Sequence, residues 1–189
     1  MASDPVRAFI AIDLEPRIKE SLLSLVRELR ATRADIRWVS GGGMHLTLKF
    51  LGPIDESRRL RVGEILKGVA GRHHSFPLRL EGTGAFPGET SPRVLWVGFA
   101  AEPGLLALQD DIETALEAEG FERETRGFTP HLTLGRVKGP ERVATAMSML
   151  AEHRQESFGA MTVGKVALFE SLLGPEGAEY RIVFEAELA

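Results

Sequence analysis

A chain of 189 residues, 43% hydrophobic and 26% charged, is long enough to enclose one real core and needs no second independent domain. Its formal charge of -4 at pH 7 argues against a protein that coats nucleic acid through a broad basic surface, although a small phosphate-reading pocket needs no such excess. The absence of cysteine excludes disulfides, thiolate metal sites and thiol nucleophiles together, and fits a reducing cytoplasm.

The N-terminal run VRAFIAID, Val6 to Asp13, has strand length and lacks the basic leader and small-residue cleavage site of a secretory signal. No apolar stretch reaches the roughly 20 residues a membrane helix needs, so a cytoplasmic protein with no membrane partner is expected. Pro16 opens a helix whose Ile18, Leu22, Leu25, Val26 and Leu29 share one face. DIRWV then reads as a second strand and SGGG as a turn. MHLTLKFLG reads as a third strand in which Leu46, Leu48 and Phe50 alternate against His45, Thr47 and Lys49, with Pro53 ending it.

Ser57 to Val69 reads as a second helix with Leu60, Ile65, Leu66 and Val69 as its apolar set. FPLRLEG and PRVLWVGF supply further strands around TGAFPGETSP, which reads as an exposed loop. A third helix begins near Pro103 and stops at Gly120, after which FERETRGF leads into HLTLGRVKG. GPERVATAMSMLAEHR gives a fourth helix. MTVGKVALFES and AEYRIVFEAEL read as two closing strands joined through the turn LLGPEGAE.

His-Leu-Thr-Leu therefore occurs twice, at His45 and at His131, 86 residues apart and in a chain with five histidines. A helix precedes and follows each copy, which suggests a duplicated lobe and an α+β architecture of two facing lobes. On a strand, residues i and i+2 share a face about 6.5 Å apart, so His45 lies beside Thr47 and His131 beside Thr133 while the leucines face a core. Imidazole titrates near neutrality, so one histidine can serve as base while another, biased by its surroundings, serves as acid. Two threonine hydroxyls can hold the non-bridging oxygens of a phosphoryl group between them. This constellation requires neither metal nor cofactor. A single Leu-Thr-Leu strand carrying a histidine would be unremarkable; the duplication in matching context gives it weight.

Together with RAFIAIDL, RWVSGGGMHLTLKFLG, GAFPGETSPRVLWVG, GFERETRGFTPHLTLGR and VALFESLLGPEGAEYRIV, the two motifs make the chain resemble the two-histidine (2H) phosphoesterases. The branch it is most similar to is that of the bacterial and archaeal RNA 2',3'-cyclic phosphodiesterases, historically called 2'-5' RNA ligases. The resemblance implies a bilobal α+β fold in which two antiparallel β-sheets flank a central cleft, with helices outside. It also implies that residues 1–189 form a single domain of two interwoven, pseudo-symmetric lobes. The implied reaction opens a 2',3'-cyclic phosphate at an RNA or nucleotide end to a 2'-phosphate, without metal. His45 would be the proton donor, His131 the proton acceptor, and Thr47 and Thr133 the phosphate ligands. By sequence alone the two histidines are equivalent; their division of labour comes from the resemblance.

Further candidates for substrate binding are Arg136, Lys49, Arg126, Phe9 and Phe50. Strict alternation places Arg136 opposite His131, which a bulge at Gly135 would correct. Lys49 has the better parity but sits where a lysine is commonly just solvated, and Arg126 is similar. Phe9 and Phe50 could stack a terminal base, though aromatics in apolar runs more often fill a core. His73, His74 and His153 have no matching motif, and Trp96 reads as packing. A monomer is expected. The alternatives to hydrolysis are 2'-5' ligation of tRNA-half-like ends and binding of RNA ends without turnover.

Overall fold

Antiparallel pairing sorts the strands into two sheets in the computed structural model, which describes residues 5–174 and 177–189. The order is β1 (Val6–Asp13), α1 (Pro16–Ala31), β2 (Ile36–Trp38), a 3-10 turn (Gly41–Gly43), β3 (His45–Ile54), α2 (Glu56–Ala70), β4 (Phe76–Phe86), β5 (Val94–Phe99), α3 (Pro103–Glu117), β6 (His131–Val137), α4 (Val143–Glu152), β7 (Ser157–Val163), β8 (Lys165–Gly174) and β9 (Gly177–Glu187). One sheet has the order β3-β1-β8-β9 and the other β2-β6-β5-β4-β7.

Each sheet draws on both halves of the chain. Helix α1 follows β1 of the first sheet yet packs on β7 and α4 of the second, burying Ile18, Leu22, Leu25, Val26 and Leu29 there. Helices α2 and α3 pack on one another and on the first sheet, where Leu66, Val69, Leu105, Leu108 and Ile112 enclose Leu46 and Leu48. Leu132 and Leu134 of β6 enter the second core in the same way. Helices thus cover one face of each sheet, and the motif histidines lie on the strand faces turned away from these cores.

Four readings need correction. Strand β3 continues through Pro53 to Ile54, which proline permits because β3 is an edge strand. Thr83 to Phe86 belongs to β4, with Thr83 and Ala85 buried, so only the part of TGAFPGETSP beyond it is loop. MTVGKVALFES breaks at Gly164 into β7 and β8, which join different sheets. Leu60 is 61% exposed, and Val62 takes its place in the core face of α2. The turn expected within LLGPEGAE falls partly on residues 175–176, outside the described residues.

Candidate active site

Both motif strands carry a bulge at the same place relative to their histidine. In β3 the register passes from Ile10↔Lys49 to Ala11↔Thr47, leaving Leu48 as an extra residue. In β6 it passes from Leu95↔Gly135 to Trp96↔Thr133, leaving Leu134 extra. An extra residue reverses the alternation beyond it. Leu48 and Lys49 consequently both point inward, as do Leu134 and Gly135, while Phe50 and Arg136 return to the histidine face.

The bulge corrects the parity expected of Lys49. Its ammonium is buried, 2.7 Å from Glu113 Oε2 and 2.7 Å from the carbonyl of Glu122, with its side chain only 4% exposed. Gln109 donates to Glu113 Oε1 and to the carbonyl of Leu48, so the cluster anchors the bulged strand to α3. Lys49 is thus a structural cation, not a ligand facing substrate. At the equivalent place in β6, Gly135 is required by crowding: a Cβ there would lie 2.6 Å from Ile36 Cγ2 and 2.8 Å from Trp38 Cε3.

Phe50 is 74% exposed, contrary to a core reading, and its ring centroid lies 6.0 Å from that of Phe9. Phe9 is buried as expected, stacked on Phe169 at 5.1 Å, in a small apolar cluster with Ala11 and Ala167. Arg136 is exposed and has no ion-pair partner among the described residues. Arg126 is solvated, and among the described residues its hydrogen bonds go only to Glu124, whose carboxyl it holds below the usual range. His73 bonds Asp111, His74 bonds the carbonyl of Ala189, and His153 pairs with Glu28 and Glu156, all away from the motifs.

The two motif histidines have unlike surroundings. His45 sits in an aromatic box: Phe9 at 4.7 Å, Phe169 at 5.3 Å and Tyr180 edge-on at 5.1 Å. Its Nδ1 is buried and has no hydrogen-bond partner among the described residues. Burial in this box lowers its pKa to about 4, against the opposing pull of Asp13, its cross-strand neighbour, whose charge Lys19 partly offsets. His131 is instead half-buried, and its Nδ1 lies 2.8 Å from the carbonyl oxygen of Thr129. A carbonyl only accepts, so Nδ1 donates, and in the neutral ring Nε2 keeps its lone pair.

Tyr180 and Phe169 were not singled out by sequence because they lie far along the chain from His45, on β9 and β8. Thr129, which sets the tautomer of His131, acts through its backbone and leaves no residue-type signal. Trp96, read as packing, pairs with Thr133 and lines a cavity of 580 Å³ that also reaches Phe86, Thr129 and His131. The motif strands β3 and β6, which belong to different sheets, contact each other. Among the described residues no three His, Asp or Glu side chains gather as a metal-ligand cluster, and no helix is long and apolar enough to cross a membrane.

The model of the 2'-5' RNA ligase superfamily matches residues 15–175. A relative from Archaeoglobus fulgidus, named RNA 2',3'-cyclic phosphodiesterase, is 35% identical over 178 residues, covering 93% of this chain and 97% of that one. One of the same name from Thermotoga maritima is 32% identical, covering 96% and 95%. Among solved structures, TT0787 of Thermus thermophilus superposes with a TM-score of 0.79 at 29% identity, over 96% of this chain and 97% of that one. E. coli LigT complexed with 3'-AMP superposes with a TM-score of 0.75 at 26% identity, over 98% and 99%.

Proposed function

The chain belongs to the 2'-5' RNA ligase superfamily, and from that premise we propose that it is an RNA 2',3'-cyclic phosphodiesterase that opens cyclic phosphate ends to 2'-phosphates by acid-base catalysis. The observation that carries this reading is that His-x-Thr recurs on two strands of different sheets, each bulged three residues past its histidine, and that these strands contact each other. One chain supplies both motifs, so a monomer suffices.

In this reading water attacks phosphorus in line with the bond to O3', and its proton passes to Nε2 of His131. The hydrogen bond from His131 Nδ1 to Thr129 leaves that nitrogen free to accept. As the P–O3' bond breaks, His45 gives O3' a proton, leaving a 2'-phosphate and a free 3'-hydroxyl. The hydroxyls of Thr47 and Thr133 hold the non-bridging oxygens, and Arg136, on the same face as Thr133, adds positive charge. The exposed Phe50 offers the terminal base a π-face.

His45 must carry a proton to act as acid, yet burial keeps it neutral near pH 7 in the free protein. A phosphodiester anion beside the ring favours the imidazolium and so opposes the cost of burial. Substrate binding and protonation of His45 are thus one coupled event: the acid is armed by the anion it will act on. The lack of cysteine supports a cytoplasmic setting.

The reading is tested with an oligonucleotide ending in a 2',3'-cyclic phosphate, incubated with EDTA and resolved into 2'- and 3'-phosphate products. The 2'-phosphate is expected. Formation of the 3'-phosphate, or chelator inhibition reversed by one divalent metal, would overturn the mechanism.

A further inference from the structure

Arg37 of β2 and Arg136 of β6 stand directly opposite one another. The pairs on either side of them fix which way both point. Ile36↔Val137 and Trp38↔Gly135 turn into the core beneath α1 and α4, so Arg37 and Arg136 project from the other face, the one that carries His131 and Thr133. Like charges set opposite on neighbouring strands are destabilising, and here nothing in the fold offsets them. Both arginines are exposed and neither has an ion-pair partner among the described residues. Asp35, close by in sequence, instead packs its carboxylate against Gly139. Surface arginines elsewhere are commonly tied to acids, as Arg72 is to Asp111, Arg79 to Glu81 and Arg154 to Glu89.

The place of this pair relative to the chemistry decides what it can hold. Because Leu134 is the extra residue of the bulge, Arg136 is the next side chain after Thr133 on the histidine face, roughly 6.5 Å along it. Strand β2 pairs only with Gly135–Val137, so Arg37 lies one strand over and past Thr133. The other sheet has no counterpart: Phe50 holds the place of Arg136 after its own bulge, but β3 is an edge strand and no residue stands outside it. In the phosphodiesterase reading, on which this inference rests, the reacting phosphoryl group is held by Thr47 and Thr133 with Arg136 beside it. A phosphodiester carries a single negative charge. A second guanidinium, one strand further from Thr133, therefore calls for a second anion. At an RNA end that anion is the phosphodiester joining the last nucleotide to the one before it, which a free nucleoside 2',3'-cyclic phosphate lacks.

We propose that Arg37 is a specificity-determining residue: with Arg136 it grips the internal phosphodiester next to the terminal nucleotide, and so favours strand ends over free nucleoside 2',3'-cyclic phosphates. A guanidinium fork matches two phosphate oxygens, and two forks face one another across this strand pair. No bond is made or broken at this position; the contact acts through binding.

The test uses a dinucleotide with a free 5'-hydroxyl and a 2',3'-cyclic phosphate end, made in two forms. One has the ordinary internal phosphodiester; the other has an internal methylphosphonate, which keeps both bases and the shape of the linkage but removes its charge. At low salt the wild-type KM should be about tenfold lower for the charged form, the scale of one charge-assisted contact. The gap should narrow as salt is added, and kcat should differ little between the forms because the reacting phosphate is the same. Arg37→Gln should shrink the KM ratio to about threefold or less, and Arg37→Lys should keep part of it. An arginine with a merely structural role would move both KM values alike and leave their ratio untouched. Equal KM for the two forms in the wild type overturns the proposal even if no variant folds, and an unaltered ratio in a folded Arg37→Gln does so as well. If both forms are opened without regard to the internal charge, this inference alone falls; if neither is opened, the phosphodiesterase reading falls with it.

Discussion

His131 donates from Nδ1 to the carbonyl oxygen of Thr129 at 2.8 Å, whereas the buried Nδ1 of His45 has no partner among the described residues. Two copies of one motif are thereby made chemically unequal. In the proposed reading the fixed tautomer equips His131 to accept a proton through Nε2, while burial in the aromatic box disfavours the charged form of His45, which a nearby negative charge would favour.

Nitrogen-15 correlation spectra of the two rings should show this directly. Neutral His131 should be the Nδ1–H tautomer. His45 should be neutral at pH 7 in the free protein and become protonated when a 2'-nucleotide occupies the cleft. A His45 already charged at pH 7 without ligand would contradict the coupling of acid and anion.

The lowered pKa of His45 also makes stability depend on pH. Below its ordinary pKa the unfolded chain binds a proton that the folded chain refuses, so stability falls as pH drops from about 6.5 toward about 4. The full effect is roughly 3 kcal/mol at the acid end. Urea unfolding of wild type and His45→Gln should therefore diverge across this window, with the variant losing less. Parallel curves would argue against the burial effect.

Lys49 and Glu113 are paired inside the protein, with side-chain exposures of 4% and 5%. Lys49→Met strands a buried carboxylate and should cost about 3–5 kcal/mol. The double variant Lys49→Met/Glu113→Leu should recover most of that. A single variant of native stability would mean that the pair is not buried in solution.

Phe9 and Phe50 are neighbours with opposite duties. Phe50→Ala should leave stability nearly unchanged and raise KM for a cyclic-phosphate oligonucleotide about tenfold, as loss of one stacked base predicts. Phe9→Ala should cost about 3–5 kcal/mol of stability by emptying the cluster beneath His45. Equal effects of the two on unfolding would reverse this division.

How much of this was legible in the sequence follows from the range of each cause. The leucines of both motifs declare strands with one buried face, and the elements around them announce their order, because periodicity is local. The bulges were legible only at Gly135, whose missing side chain hinted at one; nothing in LTLKF marks Leu48 as extra. Lys49 and Phe50 were accordingly placed on each other's faces. Glu113, which neutralises Lys49, and Tyr180, which closes the box around His45, lie on other elements, and their pairing is a product of packing that no local pattern encodes.

The central claim, that two distant motifs form one catalytic unit, is tested most directly by a double-mutant cycle on hydrolysis of a 2',3'-cyclic phosphate end. His45→Ala and His131→Ala should each lower kcat by about 10²- to 10⁴-fold, the scale of positioned acid-base catalysis. Residues that act as a unit are not additive, so the double variant should be little slower than the slower single one. Wild-type turnover in either folded single variant would contradict the account.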